Sequence, residues 1–227
     1  MSRASEIEYN LKQTKDIIES TALRANRDPS GINLVVVTKT FEKEDIQILY
    51  DLGERNFGEN RDQEASKKAE GLPRDINWHF QGQIQSNKLK SICDWASYIH
   101  SVDKYKYAEI ISENSMQNPM PIFIQVSLDS PPQSRGGVDP MGLIELAERI
   151  SKLPGVVIKG LMAVAPLEED ESSTFKRLQL IHKDFLQDFP TANYLSAGMS
   201  GDYQTAILHG ATHLRIGSSI LGKRIPR

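Results

Sequence analysis

Positions 7, 11, 14, 18 and 21, occupied by Ile7, Leu11, Thr14, Ile18 and Thr21, recur at three- and four-residue steps. That period predicts an amphipathic helix, and the Asn-Arg-Asp-Pro-Ser-Gly run at 26–31 closes it. An alternation of short strand-like runs and helical patterns follows. The strand-like runs fall at 33–38 (NLVVVT), near 55–58 (RNFG), at 77–80 (NWHF), 98–102 (YIHSV) and 121–128 (PIFIQVSL). Three more lie at 156–163 (VVIKGLMA), 193–195 (NYL) and 212–216 (THLRI). The clearest helix between them spans 139–153, with Asp139 at the N-cap, Pro140 at the first helical position and Leu143, Leu146, Ala147 and Ile150 on one face. A second spans 173–189, with Phe175, Leu178, Ile181, Phe185 and Phe189 in phase. A third starts at Asp202 and stops before Gly210, a natural residue just past a helix end.

Eight strands alternating with helices in a chain of 227 residues predict a (β/α)₈ barrel of the α/β class, preceded by the extra N-terminal helix. An open doubly wound sheet is the alternative, and it lacks a Gly-x-Gly-x-x-Gly after the first strand. With no linker, low-complexity tract or charge block in view, residues 1–227 are taken as one domain. Strand side chains alternate faces, so Val35, Val37 and Lys39 share one. If the valines fill the barrel, Lys39 points inward at the C-terminal mouth, where barrels carry their active sites.

An unprotonated lysine can condense with an aldehyde, and apolar surroundings or a nearby cation favour that form. A strand end that simply meets water explains the same residue, and the stretch 34–44 read alone favours it. Two later loops shift the balance. SAGMSGD (196–202) follows the seventh strand and RIGSSILG (215–222) contains the end of the eighth. Glycines let backbone N–H groups approach an anion, and serines add donors. Loops after strands seven and eight are where barrels commonly hold phosphate. The pair points to a phosphate-bearing ligand that also carries a carbonyl, such as pyridoxal 5′-phosphate or a sugar-phosphate aldose. Arg215 precedes the glycine of the second loop, beside such a ligand. Facing a pyridine nitrogen, a guanidinium donates a hydrogen bond and leaves the nitrogen unprotonated, which weakens carbanion chemistry. A phosphate-neutralising or salt-bridging arginine is the competing reading.

The motifs VVVTKT (35–40), FGEN (57–60), WHFQGQIQSNK (78–88), GLMAVAP (160–166), SAGMSGD and HLRIGSSILG (213–222) together resemble the pyridoxal-phosphate homeostasis protein family. The resemblance runs from about residue 5 to the end. It implies a single-domain, alanine-racemase-type barrel that binds pyridoxal 5′-phosphate. It implies that Lys39 forms the internal aldimine, Ser200 contacts the phosphate, Gly217 and Ser218 hold it, and Arg215 faces the pyridine nitrogen. Asn60, His79 and Met162 fall in motifs that line the family's pocket. Gln81, Gln83 and Arg61 depart from the family pattern. So does QVSLDSPPQSRGG (125–137), with Arg135 in the usual lysine place.

The resemblance implies a protein that carries the cofactor for vitamin B6 homeostasis, with no catalytic residue, and with pyridoxal-phosphate-dependent apo-enzymes as candidate recipients. A racemase is the alternative; it needs a second base from a further β-domain, and the chain ends at Arg227 soon after the eighth strand. A lysine-dependent aldolase is a third reading, but it leaves Arg215 without a role. Lys67, Lys68 and the basic residues at 88–90 read as solvated helix faces, apart from a role for Lys88 left unassigned. His209 and His213 are separated by Gly210 and cannot share a helix face as a metal pair would. Cys93 reads as packing.

Composition adds boundaries. A net charge of −3 gives no electrostatic case for nucleic acid or an anionic membrane. One cysteine excludes an internal disulfide and fits a reducing compartment. The polar N-terminus lacks the apolar core of a signal peptide. A cytoplasmic monomer is expected.

Overall fold

The computed structural model describes residues 2–129, 135–166 and 169–222. Eight parallel strands close in sequence order into a barrel, β1 pairing with both β2 and β8. They are β1 (Asn33–Val37), β2 (Asn56–Glu59), β3 (Asn77–Phe80), β4 (Tyr98–Val102), β5 (Met120–Gln125), β6 (Val156–Met162), β7 (Tyr194–Met199) and β8 (His213–Ile216). The predicted (β/α)₈ architecture is therefore the observed one.

The first helix, α1 (Arg3–Arg24), precedes the barrel; Ser2 caps it, and Ile7, Leu11, Thr14, Ile18 and Thr21 are all buried. The connecting helices are α2 (Lys43–Asp51), α3 (Asp62–Glu70), α4 (Leu89–Trp95), α5 (Tyr105–Asn114), α6 (Leu143–Ile150), α7 (Glu171–Asp188) and α8 (Tyr203–Leu208). A single turn, α9 (Ser218–Leu221), follows β8. Among the described residues no helix is long and apolar enough to cross a membrane.

Several boundaries moved, each for a local reason. The helix predicted from Asp139 opens as a 3₁₀ turn over Pro140–Gly142 before α6 begins, although Asp139 caps it through Met141 N–H as expected. β5 stops at Gln125: Val126 N–H still donates to Met162 C=O on β6 at 2.9 Å, but from there the chain pairs with Val138, whose C=O accepts from Ser127 N–H at 2.9 Å. β7 runs to Met199, well beyond the predicted 193–195, because Leu195, Ser196 and Met199 find partners on β6 and β8. Tertiary pairing there overrides the weak strand preference of Ser-Ala-Gly.

The barrel separates two packing zones. Val36, Phe57, Ile99, Ile122, Leu161 and Leu214 face outward into the layer shared with the helices. The interior floor is aromatic and polar. His79, His100 and His213 pack with Tyr98, Phe123 and Tyr194, His79 stacking on Tyr98 at 4.6 Å and His100 on Phe123 at 4.2 Å. Burial pushes the His79 imidazolium down to about 3 and that of His213 to about 4, so both rings are neutral near pH 7. A neutral chain of hydrogen bonds then crosses the barrel: Asn56 Oδ1 to His79 (3.2 Å), His79 to His100 (2.9 Å), and His100 to Ser196 Oγ (2.8 Å).

Candidate functional site

Above this floor, at the C-terminal mouth, lies a cavity of about 300 Å³. That volume suits a small organic ligand. Its walls include Val37 at the end of β1 and Lys39 just beyond it, Asn60 after β2, Gln81 after β3, Met162 from β6, Arg215 from β8, Ser200 and Gly217 from the last two loops, and Ser218 at the start of α9. Seven of the eight residues proposed from sequence (Lys39, Asn60, Met162, Ser200, Arg215, Gly217 and Ser218) thus converge on one pocket. His79 is brought to the floor one layer below and is not among the lining residues.

Lys39 follows β1 on the same face as Val35 and Val37, as the alternation required. Its neighbour Thr38 turns the other way and is fully buried. Lys39 occupies the second position of a turn closed by Phe41 N–H donating to Thr38 C=O at 3.1 Å. Thr40, at the third position, has φ of 71°. Such turns normally carry glycine there, because a Cβ is disfavoured at positive φ.

Lys68 corrects the sequence reading. It is not a solvated helix residue but is buried on α3, 6% exposed, with Nζ donating to Glu59 Oε1 at 2.7 Å, Glu64 Oε1 at 2.6 Å and Thr38 C=O at 2.9 Å. The signal was present: Lys68 lies three residues after Ala65, on the face of α3 that packs inward. Lys67 is exposed as expected. Burial raises the Glu59 carboxyl above the usual carboxylate range, against the pull of Lys68. Burial acts the same way on Glu64, but hydrogen bonds from Lys68 and the Thr40 amide outweigh it and hold that carboxyl low.

The neighbouring wall, beside β1 on its β8 side, is built from loops. Ser200 Oγ accepts from Gly217 N–H at 3.2 Å and Ser219 N–H at 3.3 Å, joining the β7 and β8 loops. The Asp202 carboxylate accepts from Met199 N–H and closes the first of them. Ser218 is exposed at the rim. Backbone amides, two hydroxyls and small residues make a cradle suited to an anion.

Arg215 projects from β8 into the barrel and is 5% exposed. Burial lowers its guanidinium to about 10, so it stays charged. It donates to Ser196 Oγ at 2.7 Å and Ala163 C=O at 2.8 Å, both neutral acceptors. A guanidinium carries five N–H donors, so others are left for the pocket it lines. Ser196 ties it to His100 and so to the chain across the floor.

Gln81 was noted in the sequence only as a departure. Gly58, lacking a Cβ, makes room for it: a Cβ there would lie 2.4 Å from Gln81 Nε2. The buried oxygens Gln81 Oε1 and Asn60 Oδ1 have no partner among the described residues. An orphaned buried acceptor is costly unless a ligand supplies the donor. A primary amine, an anion cradle, a buried cation and two amide oxygens without a partner among the described residues therefore share one pocket. These groups fit an aldehyde-bearing aromatic phosphate.

The remaining candidates sit elsewhere. A larger cavity of about 890 Å³, lined by Lys43, Arg61, Gln83 and Lys88, shares Asn60 with the first and has Lys68 and Glu64 in its wall. Arg135 pairs with Asp129 and donates to Ala165 C=O at 3.0 Å, while residues 130–134 of the divergent segment lie outside the described residues. His209 meets Gln179 outside the barrel, far from the barrel-floor position of His213. Cys93 packs against the core, as read.

A profile of the alanine racemase N-terminal domain matches residues 5–224. A pyridoxal phosphate homeostasis protein of Corynebacterium glutamicum is 40% identical, over 91% of this chain and 97% of that relative. One from Mycobacterium tuberculosis is 35% identical over 98% of this chain and 94% of the relative. The solved structure of PipY from Synechococcus elongatus PCC7942 with PLP bound superposes with a TM-score of 0.79 at 32% identity, covering 91% of this chain and 100% of that one.

Proposed function

The chain belongs to the alanine racemase N-terminal domain family and, within it, to the pyridoxal phosphate homeostasis proteins, and on that premise we propose that it binds pyridoxal 5′-phosphate covalently through Lys39 and keeps the intracellular supply of that cofactor in balance. The observation that supports this most is the convergence of Lys39, Arg215 and the Ser200–Gly217 cradle on one small pocket. When bound, the cofactor supplies an aldehyde that condenses with a primary amine and releases water.

Each residue then has a task. Lys39 Nζ is the amine. The hydroxyls of Ser200 and Ser218 donate to the phosphate, and Gly217, whose N–H is held by Ser200 Oγ, lets it come close to the backbone. Met162 supplies an apolar wall, and Asn60 with Gln81 offers amide groups to the polar edge. His79 acts from below, holding His100 and, through Ser196, the orientation of Arg215. Arg215 donates to the ring nitrogen and cannot give it a proton, so the ring is a poor electron sink.

This favours a carrier over a catalyst. Among the described residues lining the pocket, Lys39 is the only amine, and no carboxyl, imidazole, thiol or phenol accompanies it. A racemase needs a base on each face of its substrate. The reading places a monomeric, one-domain protein in the cytoplasm, consistent with its single cysteine, and makes pyridoxal-phosphate-dependent apo-enzymes the recipients.

Lys39→Ala tests the site. Wild-type protein loaded with pyridoxal 5′-phosphate should absorb in the visible near-violet, and borohydride should fix the ligand's mass on the peptide containing Lys39. The variant should lose both. A variant that keeps the band, or a reduced adduct on another lysine, would remove Lys39 from this role.

A further inference from the structure

The turn that presents Lys39 is held from behind by ions that never touch the pocket's ligand space. Lys68 Nζ grips Thr38 C=O, Glu59 Oε1 accepts the Thr38 hydroxyl at 2.7 Å, and Glu64 Oε1 accepts the Thr40 N–H at 2.5 Å. Lys68 joins the two carboxylates, so one cation fixes the residues on both sides of Lys39. Glu59 is fully buried, and its second oxygen, Oε2, has no partner among the described residues. Burying an ion triad with an unsatisfied oxygen is an expensive way to stabilise a fold, and an apolar cluster of equal volume usually does as well. A β-branched residue at positive φ adds further strain. Two costs at one turn, flanking Lys39, indicate that the turn's geometry is what the network secures.

We infer that Glu59, Glu64 and Lys68 are positioning residues that clamp the Thr38–Phe41 turn in its left-handed form and so aim Lys39 Nζ at the ligand's aldehyde carbon. The inference rests on the reading that Lys39 carries the cofactor. Among the described residues the clamp's hydrogen bonds end on Thr38 and Thr40, whereas the phosphate cradle stands on the neighbouring β8 side, where Ser200 Oγ accepts from Gly217 and Ser219 N–H. Loosening it should separate covalent attachment from phosphate binding.

Glu64→Ala removes the acceptor of the Thr40 amide at a partly exposed position, with the Glu59–Lys68 pair left in place. It should lower the equilibrium constant for covalent attachment, read from the absorbance band at saturating pyridoxal 5′-phosphate, by about tenfold, the size of one charge-assisted hydrogen bond. Binding of pyridoxine 5′-phosphate, which has no aldehyde, should stay within about twofold. Glu64→Gln keeps an acceptor and should retain most of the attachment. Hydrogen exchange at the Thr40 amide should quicken in the ligand-free Glu64→Ala protein. Adding Thr40→Gly, which suits φ of 71° without a clamp, should restore attachment toward wild type. A network that served only the fold would lower the melting temperature without moving the attached fraction, and glycine at position 40 would rescue nothing. A band lost in Lys39→Ala but unaltered in Glu64→Ala overturns the clamp alone. A band that survives Lys39→Ala overturns the lysine's role and the clamp with it.

Discussion

On the β1–β2 side of the pocket the backbone around Lys39 is fixed by buried ions, whereas on the β7–β8 side two loops are joined by hydroxyls and amides. The difference follows from what each wall must hold. An amine reacts only if one atom sits in one place, and its long side chain multiplies any error in the backbone beneath it. A phosphate presents several equivalent oxygens, so dipoles converging from several directions suffice. Charge is therefore concentrated where position matters. Among the described residues that line the pocket on the side facing the anion, the one cation is Arg215, withdrawn to the barrel interior.

The contrast can be broken most sharply at Lys68. Lys68→Met leaves Glu59 buried without its cation, and unfolding in denaturant should show a loss of about 3–5 kcal/mol. Most of that should return in the Glu59→Gln/Lys68→Met double variant. A loss below about 1 kcal/mol would mean that the triad is solvated and the two walls do not differ.

A second break acts on the floor beneath both walls. His79 and His213 are held near 3 and 4 in the folded protein by burial, against about 6.5 unfolded. Above about pH 6.5 both states are neutral, so stability is full there. As pH falls below that, the unfolded chain takes up protons first, and stability drops by at most about 1.4 kcal/mol per pH unit for each histidine, until the folded rings titrate. The Arg215 wall should loosen first, because His100 reaches Arg215 through Ser196. Unfolding free energies that stay flat from pH 7 to pH 5 would contradict the buried, neutral floor.

The smallest change belongs to the cradle. Replacing Ser200 and Ser218 together with alanine should weaken pyridoxal 5′-phosphate by about tenfold, two modest hydrogen bonds' worth, with pyridoxal unchanged within about twofold. Equal weakening of both ligands would show that the serines shape the pocket without meeting the phosphate.

Much of this arrangement was legible in the chain. The 3.6-residue helices and short apolar strands prescribe a barrel because each element must bury one face against a neighbour. The inward direction of Lys39 followed from its two-residue spacing to Val35 and Val37. Lys68 was misjudged because lysine is so seldom buried, although its spacing from Ala65 put it on the inner face of α3. The motif around His79 suggested a pocket residue, but strand β3 ends at Phe80, so the position at the mouth is Gln81, and His79 lies one step deeper. The ends of β5 and β7 could not be read, since they depend on which neighbour supplies the next hydrogen bond.

The barrel, the face on which Lys39 lies and the two glycine-serine loops follow from the order of residues along the chain, because periodicity and local backbone preference are properties of neighbouring residues. The closing of Lys68, Glu59 and Glu64 around the Lys39 turn, and the floor that three histidines share beneath Arg215, arise from folding alone. Those contacts join strands and helices far apart in the chain. Their energies come from burial and charge at distances that exist only once the barrel has closed.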